Sequence, residues 1–366
     1  MKIVFVIPDM PGGGTERVVA LLANEYCKRG LETAILLFAG HETKYPLDER
    51  VEVVIAGDPS GGRLGVRIDR LRRMRQYYKK NKGCQIWAFS VMGALFSVIA
   101  AWGQKHFFLV SERNDPDRYD HKKIRNLAYR FADVVVCQTN DAVRAFPAGI
   151  ARKAVVIPNP VEIRGIKPYE GVREPRIVAV GRLEQQKNHE LLLHAFAEFG
   201  KTHQEYRLEI YGRGEREEAL RKTADMLGIT DRVIFRGFSD RVMEEINTAA
   251  MYVLSSDYEG ISNSMLEAMA LGIPVIATDC PAGGSRMYIK DGRNGLLVPV
   301  GEVNPLAEAM RRVADDSEFA ASIGAAASKL REQNGTGQIA DRFLQAADGT
   351  ELHSGRDGDG GCESDI

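Results

Sequence analysis

Two glutamates, Glu259 and Glu267, stand eight positions apart in the segment Asp257-Tyr-Glu-Gly-Ile-Ser-Asn-Ser-Met-Leu-Glu267. Between them Gly260 and Ile261 make a turn, and Ser262, Asn263 and Ser264 crowd what reads as a helix start. The first amides of a helix have no partner inside it and can meet an anion. A pocket built here would offer amides to a phosphate, one carboxylate in front of them and one inside the helix. Farther upstream comes Gly181-Arg182-Leu-Glu-Gln-Gln-Lys187-Asn188. Gly181 lets the backbone turn close to a ligand. Arg182 can fork onto a diphosphate, and Lys187 adds a point charge. Two fixed cations stabilise a departing diphosphate without a metal. Taken singly, each pair also reads as charged residues on a solvated surface.

The elements that must position these groups form a regular alternation. Residues 251–256 read as a buried strand, 264–271 as a helix stopped by Gly272, and 274–277 as the next strand. Glu259 then sits at the carboxyl end of a strand, where open α/β sheets bind ligands. Arg182 and Lys187 follow the strand 176–180 directly. The alternation begins with strand 3–7, the glycine loop Pro11-Gly-Gly13-Gly14-Thr-Glu16 and a helix over 16–29. It continues through strands 33–38, 51–56, 85–90, 107–111, 134–137 and 154–157, with helices between them. Alternation of this kind implies parallel sheets covered on both faces. Pro158-Asn-Pro160 ends a first domain at residue 160, and 161–175 read as a linker. A second domain spans 176–334, with helices over 189–201, 216–227, 240–249, 304–314 and 317–331. Residues 335–347 form a last helix. The tail 348–366 is rich in Gly and Asp and is expected to be disordered.

Length and composition fit this division. The chain has 366 residues, enough for about two domains. Apolar content is 44%, charged content 27% and net charge −1, so no global field argues for nucleic acid. Five cysteines without metal spacing fit a reducing cytoplasm better than a disulfide framework. The start of the chain lacks the pattern of a signal peptide. The uncharged run 86–102 falls just short of a membrane span. It reads as a strand followed by a buried helix over 92–102.

With both anchors in place, the text around Glu259 and Glu267 resembles the retaining glycosyltransferases of family 4. That resemblance covers about residues 1–347. It implies two Rossmann-like domains facing each other across a cleft, the GT-B fold, with the last helix crossing back to the first domain. By the same resemblance Glu259 handles the donor sugar and Glu267 binds the ribose of the nucleotide. The family carries an Arg and a Lys at the spacing of Arg182 and Lys187, after the same strand. It also has a Gly-Gly-x-Glu loop facing the donor phosphate, matched here by Gly13, Gly14 and Glu16. The turn Arg236-Gly237-Phe238 is expected to meet the base. Gly283-Gly284 can pass close to the bound nucleotide sugar. In the first domain Ser111-Glu112-Arg113-Asn114-Asp115-Pro116 ends a strand at the cleft. Many members place a histidine where Arg113 stands. Glu112, Arg113 and Asp115 could hold the acceptor or the donor sugar, or could form a structural ion pair.

The stretch 63–82 carries Arg63, Arg67, Arg70, Arg72, Arg73, Arg75, Lys79, Lys80 and Lys82 against one acid, Asp69. Leu64, Ile68, Leu71, Met74 and Tyr78 recur at helical steps. Such a helix suits anionic lipid or pyrophosphate, or it packs by its apolar stripe and leaves its charges in water. The expected activity is transfer of a hexose or N-acetylhexosamine from a nucleotide diphosphate sugar, UDP foremost, to a glycan acceptor on polyprenyl pyrophosphate. The anomeric configuration would be retained, and neither cofactor nor metal is expected. The expected location is the cytoplasmic face of the membrane, peripherally bound. The rival readings are a nucleotide-sugar epimerase on the same fold and a non-catalytic sugar-nucleotide or membrane-binding module.

Overall fold

The apolar runs that open the two halves of the sequence become the central strands of two separate sheets. In the computed structural model, residues 1–349 are described apart from 42, 58–62, 120 and 164 and the side chains of 63 and 64. The first half builds β1 (Lys2–Ile7), α1 (Gly14–Lys28), β2 (Glu32–Leu37), β3 (Glu52–Ile55), α2 (Arg63–Lys80), β4 (Gln85–Ala88) and α3 (Val91–Ala100). It continues with β5 (Phe107–Ser111), α4 (Lys122–Arg130), β6 (Val134–Cys137), α5 (Asn140–Arg144), α6 (Ala148–Ala151) and β7 (Ala154–Val156). The second half builds β8 (Glu174–Val180), α7 (His189–Phe199), β9 (Arg207–Tyr211), α8 (Glu217–Met226), β10 (Val233–Gly237), α9 (Val242–Ile246), β11 (Ala249–Leu254) and α10 (Asn263–Ala270). After these come β12 (Val275–Thr278), α11 (Gly284–Tyr288), β13 (Leu296–Val298), α12 (Val303–Asp315), α13 (Ser317–Ser328), α14 (Leu330–Gln333) and α15 (Thr336–Ala347).

The first sheet has the order β3-β2-β1-β4-β5-β6-β7, and the second β10-β9-β8-β11-β12-β13. Every strand pairing within them is parallel. Each sheet is packed on both faces, which is why β1 and β11 read as unbroken apolar runs. In both sheets the order reverses beside the opening strand, between β1 and β4 and between β8 and β11. A crevice forms at such a switch point, outside the carboxyl ends of the strands. The glycine loop follows β1, Arg182 follows β8 and Glu259 follows β11. Most of the expected donor groups therefore leave from the two reversals, while Gly237 with Phe238 follows β10 and Gly283 with Gly284 follows β12.

The last helix returns to the first domain. Ile339, Ala340 and Phe343 of α15 are buried in the core that holds Tyr26 and Trp87. The Phe343 ring lies 5.7 Å from that of Trp87 and 6.0 Å from that of Phe89. Tyr26 Oη donates to the Ala340 carbonyl at 2.9 Å. Truncating a buried aromatic of this kind costs about 3–5 kcal/mol, so α15 holds the two halves together.

Several expected elements differ. The helix expected over 240–249 is the short α9, because Ala249 already pairs with Glu174 in β11. The helix expected over 317–331 is divided into α13 and α14, and α11 has no counterpart among the expected elements. Of the tail, residues 350–366 lie outside the described residues. The second half of the α2 stripe is taken up by the fold: Met74 and Tyr78 are buried in the first-domain core, and Leu71 and Tyr77 pack against it, while Ile68 is exposed. Its basic residues Arg67, Arg72, Arg73, Lys79 and Lys80 are exposed. The helix expected to be buried, α3, is buried along most of its length between α2 and α4, and only its outward edge, Met92 and Ile99, with Trp102 beyond its end, is exposed.

Candidate functional site

The loops after β8 and β11 lie side by side and are laced together. Gln186 Nε2 donates to the Tyr258 carbonyl at 3.0 Å, and the Asp257 amide donates to the Gln186 carbonyl at 2.9 Å. Ser255 Oγ donates to the Lys187 carbonyl at 2.9 Å. Asn188, left-handed at φ 43°, caps α7 through the Leu191 amide and donates to Asp257 Oδ1 at 2.6 Å. These bonds place Lys187 Nζ against Glu259 Oε2 as an ion pair. Gly181 has a specific reason to be glycine, since a Cβ there would lie 3.1 Å from Lys187 Cε. The lysine stem runs over that bare backbone. Arg182 stands more exposed and holds Glu184 at 2.8 Å. Lys187 is thus fixed beside the acid, while Arg182 keeps room to swing.

The start of α10 is built as its sequence suggests. Ser262 Oγ caps the helix by accepting from the Met265 amide. Ser264 Oγ donates to the Val180 carbonyl at 3.0 Å and lies 2.8 Å from Tyr252 Oη. Helix α10 is thereby tied to the end of β8, beside Gly181. One turn inward Glu267 is buried. Burial pushes its carboxyl up to about 7, against the downward pull of a cation from the other domain. That cation is Arg17 of α1, whose Nη1 lies 2.6 Å from Glu267 Oε1.

The glycine loop meets this pocket from the first domain. Asn263 Nδ2 donates to the Gly14 carbonyl at 3.0 Å, and a Cβ on Gly14 would lie 3.2 Å from that same nitrogen. A Cβ on Gly12 would lie 3.8 Å from the ring of Phe238, so the turn after β10 reaches the same opening. Gly237 takes φ 70° there, a backbone state that favours glycine. Glu16 takes both the Gly12 and Gly13 amides, and its carboxylate shapes the loop from inside.

The first-domain turn after β5 also departs from expectation. Glu112 is buried away from the cleft. Its carboxylate accepts from Tyr129 Oη at 3.0 Å and from the amides of Arg113 and Asn114. Burial raises its pKa, opposed by that hydroxyl and by Arg125. These partners favour the structural alternative for Glu112 over a hold on either sugar. Arg113 donates through Nη2 to Asn159 Oδ1, and its guanidinium sits 5.8 Å from the Phe89 ring centroid. Its Nε and Nη1 are buried and have no hydrogen-bond partner among the described residues. Burial lowers its pKa to about 10. Asp115 caps the turn that follows, accepting from the Asp117 amide at 2.9 Å.

Three residues not singled out in the sequence join the domains at the site. Asn159 Nδ2 donates to the Ile261 carbonyl at 3.1 Å and to Asn263 Oδ1. Gln138 Oε1 accepts from the Ile261 amide at 3.1 Å. Arg17 completes the set. Asn159 lies in the Pro-Asn-Pro stretch, and Arg17 immediately follows Glu16, so both stand next to recognised motifs. Gln138 carries no such signal. The Gln138 contact explains Gly260, where a Cβ would lie 2.1 Å from Gln138 Oε1.

The site is therefore one crevice, with two acids, two cations and a helix start on the second domain and a glycine loop opposite. Comparison with known proteins agrees. Residues 167–330 match the glycosyl transferases group 1, and residues 12–164 match glycosyltransferase family 4. A Campylobacter jejuni protein, the GalNAc-alpha-(1->4)-GalNAc-alpha-(1->3)-diNAcBac-PP-undecaprenol alpha-1,4-N-acetyl-D-galactosaminyltransferase, is 28% identical over 333 residues, covering 87% of this chain and 90% of that one. The lipopolysaccharide core biosynthesis glycosyltransferase LpsE of Rhizobium meliloti is 24% identical over 84% of this chain and 87% of that one. The crystal structure of Anabaena HepE with UDP-glucose superposes with a TM-score of 0.84 at 22% identity, covering 95% of this chain and 100% of that one. The two matched segments, the paired parallel sheets and the shared crevice together establish that this chain belongs to the family 4 glycosyltransferases of the GT-B fold.

Proposed function

We propose that this transferase moves a hexose or N-acetylhexosamine from a UDP-sugar to a hydroxyl of a glycan carried on polyprenyl pyrophosphate, with retention of configuration. The carrying observation is the Lys187–Glu259 pair, held beside Arg182 and the start of α10 at a strand-order reversal. On this reading the pyrophosphate binds at the start of α10, between Arg182 and Lys187. Charge that builds on the departing phosphate meets these two cations, and no metal is needed. Glu259 holds the donor sugar, Glu267 takes the ribose hydroxyls, and Gly237 with Phe238 borders the base. Glu259, the carboxylate nearest the donor sugar on this reading, is engaged by Lys187 and is therefore not free to act as the nucleophile of a double displacement. The acceptor hydroxyl therefore attacks from the face the diphosphate leaves, and passes its proton to the departing phosphate oxygen.

Two observations support the acceptor class. The Campylobacter relative is named for an undecaprenyl-diphosphate glycan. Helix α2 presents a row of exposed basic residues on the first domain, suited to the cytoplasmic face of a membrane. No helix among the described residues is long and apolar enough to cross a membrane. The test is a panel of nucleotide sugars scored by the ligand-induced rise in Tm, followed by NMR of the product from the best donor. An α-linked product from an α-linked UDP-sugar supports the reading. Conversion of the UDP-sugar without any acceptor favours an epimerase.

A further inference from the structure

The outward face of α3 is apolar where a surface helix normally carries charge. Met92 and Ile99, two turns apart, lie on the side away from the core, and Trp102 extends the line just past the helix end. The helix contains no charged residue. A helix apolar all round is ordinarily covered on every side, yet here Met92, Ile99 and Trp102 are exposed, Trp102 to 66%. Helix α4 packs beside α3 and repeats the pattern with Ile124, Leu127 and Phe131, all exposed. The two rows meet where the Trp102 and Phe131 rings stand edge-on, 6.1 Å apart. Contiguous exposed apolar surface of this kind marks a contact site.

The charges around it identify the occupant. Lys105, Lys122, Lys123 and Arg130 are exposed on this flank, and α2, which also packs on α3, adds Arg67, Arg72, Arg73, Lys79 and Lys80. The acids of these segments are engaged. Asp69 holds Arg73 at 2.6 Å, Asp117 holds Lys122 at 2.8 Å, and Asp133 accepts from the Phe108 amide at 2.7 Å. An apolar centre with a basic rim suits a bilayer carrying anionic headgroups. We propose that the α3–α4 face inserts into an anionic lipid bilayer. Trp102 and Phe131 then sit at headgroup depth, and the basic residues of α2 and α4 lie on the phosphates. Leu71, Met74 and Tyr78 of α2 are already spent on the core, so α3 and α4 supply most of the insertion and α2 the attraction. This goes beyond the transferase reading and is measured without donor or acceptor.

The chain contains its own reporter. It has two tryptophans, and Trp87 is fully buried, so a change of emission on adding vesicles reads Trp102. Vesicles of phosphatidylglycerol and phosphatidylcholine are expected to shift the emission to the blue, and brominated lipid in them to quench it. High salt is expected to weaken the partitioning. The double variant Ile99→Glu, Leu127→Glu is expected to bind such vesicles at least tenfold less tightly, while UDP still raises its Tm as in the wild type. Retained UDP stabilisation shows that the variant is folded and keeps a vesicle result separate from the fate of the transferase reading. Unchanged Trp102 emission with vesicles overturns the proposal. So does a blue shift that follows protein concentration alone, together with a dimer in sedimentation, because the occupant is then a second copy of the chain.

Discussion

Arg17 Nη1 and Glu267 Oε1 lie 2.6 Å apart although they belong to different domains. Helix α1 reaches across the cleft from just behind the glycine loop and neutralises the acid at the start of α10. Arg17 also donates through Nη2 to the Glu162 carbonyl at 3.3 Å, so it touches the connection between the domains as well. Burial outweighs its attraction and leaves the Glu267 carboxyl at about 7. Ribose hydroxyls donate to the ionised form, so UDP binding is expected to strengthen as pH rises through about 7. Arg17→Met removes the attraction and moves the midpoint of that curve upward. Calorimetric titration of UDP across this range checks it, and an unmoved midpoint contradicts the pairing.

The same acid sets a slope in stability. Its folded-state pKa stands above the unfolded value of about 4.3, so the folded chain holds the extra proton between the two. Stability is therefore expected to fall as pH rises from about 4.3 to about 7, by up to about 4 kcal/mol from this group. Glu267→Gln is expected to flatten the fall, read as urea midpoints at several pH values. An equal slope in the variant contradicts the assignment.

Arg182 is expected to act on the departing phosphate. Arg182→Ala is expected to lower kcat/KM by about 10²–10³, the scale of losing one preorganised donor. Arg182→Lys is expected to recover only part of that, because a point charge replaces a fork. Turnover in EDTA is expected to match turnover without it. An unaffected Arg182→Ala enzyme contradicts the role.

Gly260 marks a close approach of the domains. In Gly260→Ala the new Cβ meets Gln138 Oε1 and the Arg113 carbonyl, the latter at 2.9 Å. The crowding is expected to cost about 1–3 kcal/mol, read as a lowered Tm. Gln138→Ala in the same chain is expected to restore part of the loss. Full stability of Gly260→Ala alone contradicts the contact.

Glu112 is expected to serve the fold rather than the reaction. Glu112→Ala strips the acceptor from the Tyr129 hydroxyl and two amides. Leaving buried donors unmatched is expected to cost about 1–3 kcal/mol or more of stability. The kcat of the folded variant is expected to stay within about threefold of the wild type. A collapse of kcat with unchanged Tm contradicts the structural role.

The legible part of the site was local. Arg182, Lys187, Glu259 and Glu267 each stand within a few residues of a strand end or helix start, so one stretch of text fixes both type and place. Arg17, Gln138 and Asn159 owe their roles to residues of the other domain, and local periodicity carries no trace of such partners. Glu112 sits at the expected strand end but turns inward, because Tyr129 and the next two amides satisfy it there. Helix α3 is buried for most of its length, as expected, but its outward edge is left bare for a related reason. An apolar run tells how much surface wants cover, but not whether the fold supplies it on both sides. On α2 the stripe of Met74 and Tyr78 was visible, and only the packing showed that the sheet consumes it.

The measurement closest to the central claim is single-turnover sugar transfer by Lys187→Ala, with UDP affinity determined on the same protein. On the proposed reading the Lys187–Glu259 pair sits where the diphosphate joins the donor sugar. The rate of transfer is expected to fall by about 10² or more, while UDP binding weakens far less. Transfer at the wild-type rate would place the departing phosphate elsewhere and contradict the account.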